Sequence, residues 1–153
     1  MITIHKATTE DAEELLRIKV RAFAWDVEKY GMAPPGYDSL EDLISAINKA
    51  RYYKILYSDK AVGAFSLYEE GTSHFELGSL YIDPDYHDKG IGSKVVELME
   101  KEYPQIVKWT LDTPYLSFRN HHFYEKMGYV KIDEIKPFEN NEFTLFKYEK
   151  NKL

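Results

Sequence analysis

Between residues 53 and 82 apolar side chains recur at every second position, and two turn clusters, Ser58-Asp59-Lys60 and Glu70-Gly71-Thr72-Ser73, interrupt them. The spacing predicts three strands in direct succession, over 53–57, 61–68 and 74–82, joined as an antiparallel meander. A doubly wound sheet alternates strand and helix throughout, so this run excludes one. Upstream, alternating Ile2 and Ile4 give a short strand over 2–7. Thr8 caps a helix reaching about Trp25 on the stripe Ala12, Leu15, Leu16, Val20 and Phe23, with Glu10 and Asp11 in its first turn. Ser39 caps a second helix on Leu40, Leu43, Ile44 and Ile47. The stretch between them holds Gly31, Pro34, Pro35 and Gly36 and reads as an aromatic loop, either a lid over a substrate site or a loop folded onto its own domain. Downstream of the meander come a helix through Val95, Leu98 and Met99, a strand over 105–111 and a helix over 117–127 closed by Gly128. Strands over 129–132 and 142–148 end the chain, and the helical crossover makes the 105–111 strand parallel to its predecessor.

At 153 residues, with 44% hydrophobic and 30% charged residues, the chain is expected to form one domain over 1–153. No apolar run spans a membrane, and the opening Met1-Ile2-Thr3-Ile4-His5-Lys6 lacks the basic flank and apolar core of a signal peptide, so a cytoplasmic location is expected. There is no cysteine, which excludes a disulfide framework, a thiolate metal site and an acyl-cysteine intermediate. A formal charge of −6 disfavours nucleic acid as a partner. His121 and His122 are adjacent, point in different directions on a helix and cannot share a metal as a pair; no metal is assigned.

Two stretches carry chemistry. The first is His87-Asp88-Lys89-Gly90-Ile91-Gly92-Ser93-Lys94, between the apolar run Leu80, Tyr81, Ile82 and the helix through Val95. Two glycines at a helix start leave backbone N–H groups uncovered at the positive end of the helix dipole, which makes a phosphate cradle; a plain glycine turn opening a helix is the other reading. A Walker loop needs Gly-Lys-Ser/Thr, but Ser93 precedes Lys94; a dinucleotide loop needs a third glycine where Val95 stands. Asp112 is the best argument for a dinucleotide enzyme, and one acid near that distance is common among 26 acidic residues. The second stretch is Arg119-Asn120-His121-His122-Phe123-Tyr124-Glu125-Lys126-Met127-Gly128-Tyr129.

Both stretches, and the element order along the whole chain, resemble the GNAT N-acetyltransferase superfamily. The first is similar to its pyrophosphate loop Gln/Arg-x-x-Gly-x-Gly/Ala, with His87 in the leading place; a neutral histidine still donates one hydrogen bond. The second is similar to its Asn…Phe-Tyr-Glu-Lys-x-Gly-Phe/Tyr motif, with Ser117 where the asparagine more usually stands. The resemblance implies an α/β fold of α+β type, a central mixed, mostly antiparallel sheet of about seven strands flanked by about four helices. It implies acetyl-CoA as cosubstrate, bound by residues 80–82, by His87 to Lys94 and by Asn120 and Phe123, with no metal. Tyr124 would protonate the departing thiolate, and Glu76, on the strand entering the loop, would take the amine proton. An unbroken strand puts Glu76 on the face of Gly78, Leu80 and Ile82, opposite Phe75, Leu77 and Tyr81, and Gly78 is a candidate bulge freeing an N–H near residues 80–82 for the oxyanion. The expected reaction is direct transfer of acetyl to a primary amine of a small molecule or peptide in a ternary complex. Asp26, Glu28, Asp38, Glu41 and Asp42 point to a cationic acceptor, or to a solvated acidic helix start. A homodimer is left open, and the alternative function is a catalytically silent module that binds CoA or a regulatory partner.

Overall fold

A computed structural model describes residues 1–31, 33, 35–139 and 142–152. Pro34, one of the helix breakers named above, lies outside them. The elements are β1 (Ile2–Lys6), α1 (Ala12–Tyr30), α2 (Leu40–Lys49), β2 (Arg51–Tyr57), β3 (Lys60–Gly71), β4 (His74–Ile82), α3 (Ile91–Glu102), β5 (Lys108–Pro114), α4 (Phe118–Lys126), β6 (Val130–Ile135) and β7 (Leu145–Asn151). The strands form one mixed sheet in the order β1-β2-β3-β4-β5-β7-β6. Among the described residues only β4 and β5 run parallel; every other neighbouring pair is antiparallel, as the meander and the helical crossover predict.

The sheet is covered on both faces. α1 and α2 bury Ala12, Leu15, Ile18, Ala22, Leu43 and Ile47 against Tyr52, Ala64 and Tyr81. On the other face α3 buries Ile91, Val95, Val96 and Met99, and α4 buries Tyr124, against Phe65, Leu77 and Trp109. The buried stripe of α1 therefore differs from the expected one. Ile18 and Ala22 lie in the core, Leu16 and Phe23 at its edge, and Val20 in neither core. The helix also runs five residues beyond Trp25, since nothing before Gly31 breaks it and the Gly31 N–H closes its last turn on the Val27 carbonyl at 2.8 Å. β5 starts later than expected because Ile106 is still in a turn, its N–H bonded to the Tyr103 carbonyl. It runs on to Pro114 because β7 pairs with it over Leu145–Asn151.

One irregularity positions the site. Leu77 pairs with Leu67 but Ser79 pairs with Ser66, so Gly78 is the extra residue of a β-bulge. A bulge reverses the facing of every later side chain. Phe75 and Leu77 thus share the α3 face with Leu80 and Ile82, while Glu76 faces the α1 side with Tyr81. The expectation that Glu76 shares a face with Leu80 and Ile82 is overturned, because it assumed an unbroken period of two. A Cβ on Gly78 would lie 2.4 Å from the Tyr68 ring and 2.9 Å from Ser66 Oγ, so the bulge has room for glycine alone.

Candidate active site

The parallel β4–β5 ladder covers His74 to Leu77 against Lys108 to Leu111 and then stops. Past that point residues 79–82 stay on β3, whereas Asp112, Thr113 and Pro114 continue on β7. Two strands that part while each keeps its other neighbour leave unladdered backbone groups along the inner edge of both. The split opens into a cavity of about 430 Å³ whose walls include Leu80, Tyr81 and Ile82. α1 closes one side of it with Phe23 and Asp26, and α4 the other with Asn120, Phe123 and Tyr124. Arg21 ties α1 to the end of β4, its guanidinium 2.7 Å from Asp83 and 3.1 Å from Asp85.

At the mouth lies the glycine loop. Asp88 (φ 59°) and Gly90 (φ 76°) are both left-handed, which turns the chain sharply into α3. No side chain caps α3, whose first backbone bond runs from the Lys94 N–H to the Gly90 carbonyl at 3.1 Å. The N–H groups of Ile91, Gly92 and Ser93 therefore have no partner within the helix and stand at the positive end of its dipole. This is the geometry of an anion site. Its cationic complement is Arg119, 3.6 Å from Asp88 and 5.3 Å over the Trp25 ring. A linear cofactor with a pyrophosphate at one end and amides along its arm fits: uncapped N–H groups and a guanidinium lie at the mouth, an open strand edge within.

His87 plays a different part from the expected one. Its Nε2–H donates to the Ile82 carbonyl at 2.9 Å, and its ring lies edge-on to Trp25 at 5.2 Å. Burial, then the nearby Arg119, holds its pKa below the ordinary histidine value. A neutral ring that has given its one proton to a carbonyl has none left for a phosphate. His87 pins the loop to β4 instead. Lys89 and Lys94 do not line the cavity among the described residues; Lys94 sits 4.0 Å from Glu97 on the helix surface.

Deeper in, Tyr124 is 7% exposed and meets Phe123 edge-on at 5.0 Å. Burial drives the Tyr124 hydroxyl well above the ordinary tyrosine pKa, so it is protonated at neutral pH. Phe123 also lies behind the loop, its ring 3.2 Å from where a Cβ on Gly92 would stand. Asn120 lines the cavity and donates to Thr113 Oγ1 at 3.3 Å, whereas Ser117 is buried before α4. Glu76 lines no described cavity. It accepts from Thr110 Oγ1 at 3.0 Å and lies 3.4 Å from Lys147 Nζ.

A second cavity of about 180 Å³ lies beside the bulge, lined by Gly78 and Ser79 and walled by Phe23, Tyr37, Tyr52 and Tyr68. It shares Phe23 with the first cavity, and a 2.8 Å bond between the Tyr52 and Tyr81 hydroxyls links their walls. Glu28, Asp38, Glu41 and Asp42 are exposed and line neither. Asp26 does line the larger one, where burial, opposed by Arg119, pushes its carboxyl up to about 6. From sequence Asp26 counts only as one of the acids facing an acceptor, and Trp25 carries no role; both stand in or beside the larger cavity because α1 runs past Trp25. Arg119 carries no role in the motif by resemblance, although an arginine in the first turn of the helix that carries the second motif is a readable signal for an anion. His121 Nε2 donates to the Pro114 carbonyl at 2.9 Å, and among the described residues no group of three His, Cys, Asp or Glu could hold a metal.

An anion cradle at one helix start, a split parallel pair and a second cavity abutting the first offer room for two ligands side by side, one of them anionic. The chain matches the acetyltransferase (GNAT) family over residues 12–129 and belongs to it, a family of acetyl-CoA-dependent acetyltransferases. It is 34% identical over 138 residues to the uncharacterized protein YrkN of Bacillus subtilis strain 168, covering 86% of this chain and 75% of that one. Its fold is that of the PaiA N-acetyltransferase from Thermoplasma acidophilum solved in complex with coenzyme A, with a TM-score of 0.79 at 22% identity over 99% of both chains. It is also that of the Escherichia coli ribosomal-protein-S18-alanine N-acetyltransferase, with a TM-score of 0.79 at 17% identity over 99% of this chain and 94% of that one. Among the described residues no helix is long and apolar enough to cross a membrane.

Proposed function

We propose that residues 1–153 act as one N-acetyltransferase domain that moves acetyl from acetyl-CoA to a primary amine, directly and with both substrates bound, in the cytoplasm. The observation that carries this reading is the split between β4 and β5, with an uncapped α3 N-terminus at its mouth and a second cavity at its inner end. The absence of cysteine removes the commonest covalent carrier and favours direct attack. Acetyl-CoA supplies a thioester whose acetyl carbon takes the amine nitrogen as the carbon–sulfur bond breaks.

In this reading the N–H groups of Ile91, Gly92 and Ser93, with Arg119, hold the pyrophosphate, while residues 80–82 offer their backbone edge to the pantetheine amides. Asn120 and Phe123 flank the arm. Tyr124 hydrogen-bonds to the departing sulfur and gives up its proton as charge develops there. Desolvation raises the tyrosine pKa, but it raises that of a thiolate in the same cavity too, so donor and acceptor stay matched. An alkylamine of pKa about 10.4 arrives protonated, and in that sense the acceptor is a cation that the exposed acids of α2 attract at long range. Glu76, now on the face of Tyr68 and Tyr81, is the candidate base, reached through a water.

The test is release of CoA thiol over a panel of amines, with Tyr124→Phe as the informative variant. Positioned acids contribute about 10²- to 10⁴-fold. Tyr124→Phe should lose kcat by that order, with acetyl-CoA affinity and melting temperature nearly unchanged. Normal turnover by this variant refutes the role, and binding of acetyl-CoA without turnover of any amine favours the silent module.

A further inference from the structure

The second cavity contains one charged side chain among its described lining residues, and it is a lysine rather than an acid. Lys19, on α1, is half-buried and makes no ion pair with a described residue; its ammonium stands 5.9 Å over the Tyr81 ring. The rest of the lining is neutral. Phe23, Tyr37, Tyr52 and Tyr68 make it aromatic, and the hydroxyls of Ser66 and Ser79 are 3.1 Å apart and bonded to each other. A desolvated ammonium without a carboxylate partner is costly unless something that binds there supplies one. Burial accordingly pulls the lysine pKa below its ordinary value, with Asp42 opposing from a distance.

Resting on the N-acetyltransferase reading, we infer that this cavity is the acceptor site and that it selects amines that also carry a carboxylate, which Lys19 binds. Orientation follows from the strand. Gly78 and Ser79 line the second cavity and Leu80, Tyr81 and Ile82 the first, so β4 leads from one into the other. On α1, Lys19 lies one turn before Phe23, the residue both cavities share, about 6 Å along the axis. The acceptor carboxylate therefore sits on Lys19, at the far end, and its amine at the Phe23 end, where the cavities meet. At about 180 Å³ the cavity is smaller than the usual 300–1,000 Å³ of ligand pockets, which limits the acceptor to amino-acid size, and four aromatic walls favour an apolar body. An acceptor whose second group is another cation would bring like charges together beside Tyr81.

Matched triplets test this: an amino acid, its amide and its decarboxylated amine, for example leucine, leucinamide and isoamylamine, and the same set built on phenylalanine. Release of CoA thiol is followed with saturating acetyl-CoA. We expect kcat/KM for the carboxylate members to exceed that of their partners by at least about tenfold. Lys19→Met should erase that preference by raising KM for the acids, leaving the amides within about twofold and acetyl-CoA affinity unchanged. Lys19→Arg, which keeps the charge should the methionine variant fail to fold, should keep the preference. A wild-type preference for the amides or amines overturns the inference, as does an equal loss on all three by Lys19→Met, while both leave acetyl transfer intact. No turnover of any member by protein that binds acetyl-CoA overturns the transferase reading and the inference with it.

Discussion

Gly90 and Gly92 stand one residue apart in the phosphate loop, and the structure requires them for different reasons. Gly90 has φ 76° and ψ 8°, and a Cβ placed on it meets nothing within 4 Å. The expense of Gly90→Ala is therefore all backbone, about 1–2 kcal/mol for a left-handed residue with a side chain. For a domain of this size each kcal/mol moves the melting temperature by about 2–4 °C, so a drop of about 2–8 °C is expected. Gly92 is in the first turn of α3, where alanine is the better helix former by up to about 1 kcal/mol. Its Cβ would press the Phe123 ring from 3.2 Å, which offsets that gain, and the melting temperature should hardly move.

Acetyl-CoA binding separates the two further. Gly90→Ala relieves part of its strain by rotating the loop, which misaims N–H groups at the start of α3. Losing one hydrogen bond to a charged group costs about 1.5–3 kcal/mol, or about ten- to a hundredfold in Kd by calorimetry. Gly90→Asn, which tolerates the left-handed region, should lose less. An alanine variant that melts lower but binds acetyl-CoA as tightly as wild type refutes the cradle. One that melts unchanged refutes the strain argument.

Asp26, ionising near 6 inside the larger cavity, should oppose a pyrophosphate above that pH, so acetyl-CoA affinity should strengthen as pH falls from 7.5 towards 5.5 and flatten in Asp26→Asn. Because burial raises its folded pKa above that of the unfolded chain, stability due to this group falls as pH rises from about 4 through 6, and the melting temperature of Asp26→Asn should lack that slope. Glu76→Gln should lower kcat and alter its pH profile if Glu76 takes the amine proton; an unchanged rate and profile assign that step to water alone.

The elements with period-two or helical spacing were readable, and so was the loop, because short apolar repeats and paired glycines are local signals. What was not readable depended on contacts between distant segments. The last turns of α1 after Trp25 carry no apolar stripe of their own; their placement comes from the Trp25 ring lying against His87 and Arg119, more than sixty residues away. His87, expected to donate to a phosphate, donates instead to the Ile82 carbonyl at the end of β4, five residues back. The acidic residues of the 26–42 stretch resemble a binding face by composition, yet four of them, Glu28 on α1, Asp38 in the turn and Glu41 and Asp42 on α2, are exposed, while Lys19 on α1 lines the smaller cavity.

The Gly78 bulge, foreseen as a way to free one N–H, does more than that. Without it, Leu80 and Ile82 would turn towards α1 and Tyr81 towards α3. The hydroxyl bond between Tyr52 and Tyr81, which joins the walls of the two cavities, could not form. Nor would Glu76 and Tyr81 share a face. One inserted residue thus lets a single strand present Ser79 to the smaller cavity and its neighbours 80–82 to the larger, and the ladder to β5 ends at the residue just before it. Restoring the alternation by deleting Gly78 would send every later side chain of β4 to the wrong face, which is why the chemistry is tied to this strand more than to any one side chain on it.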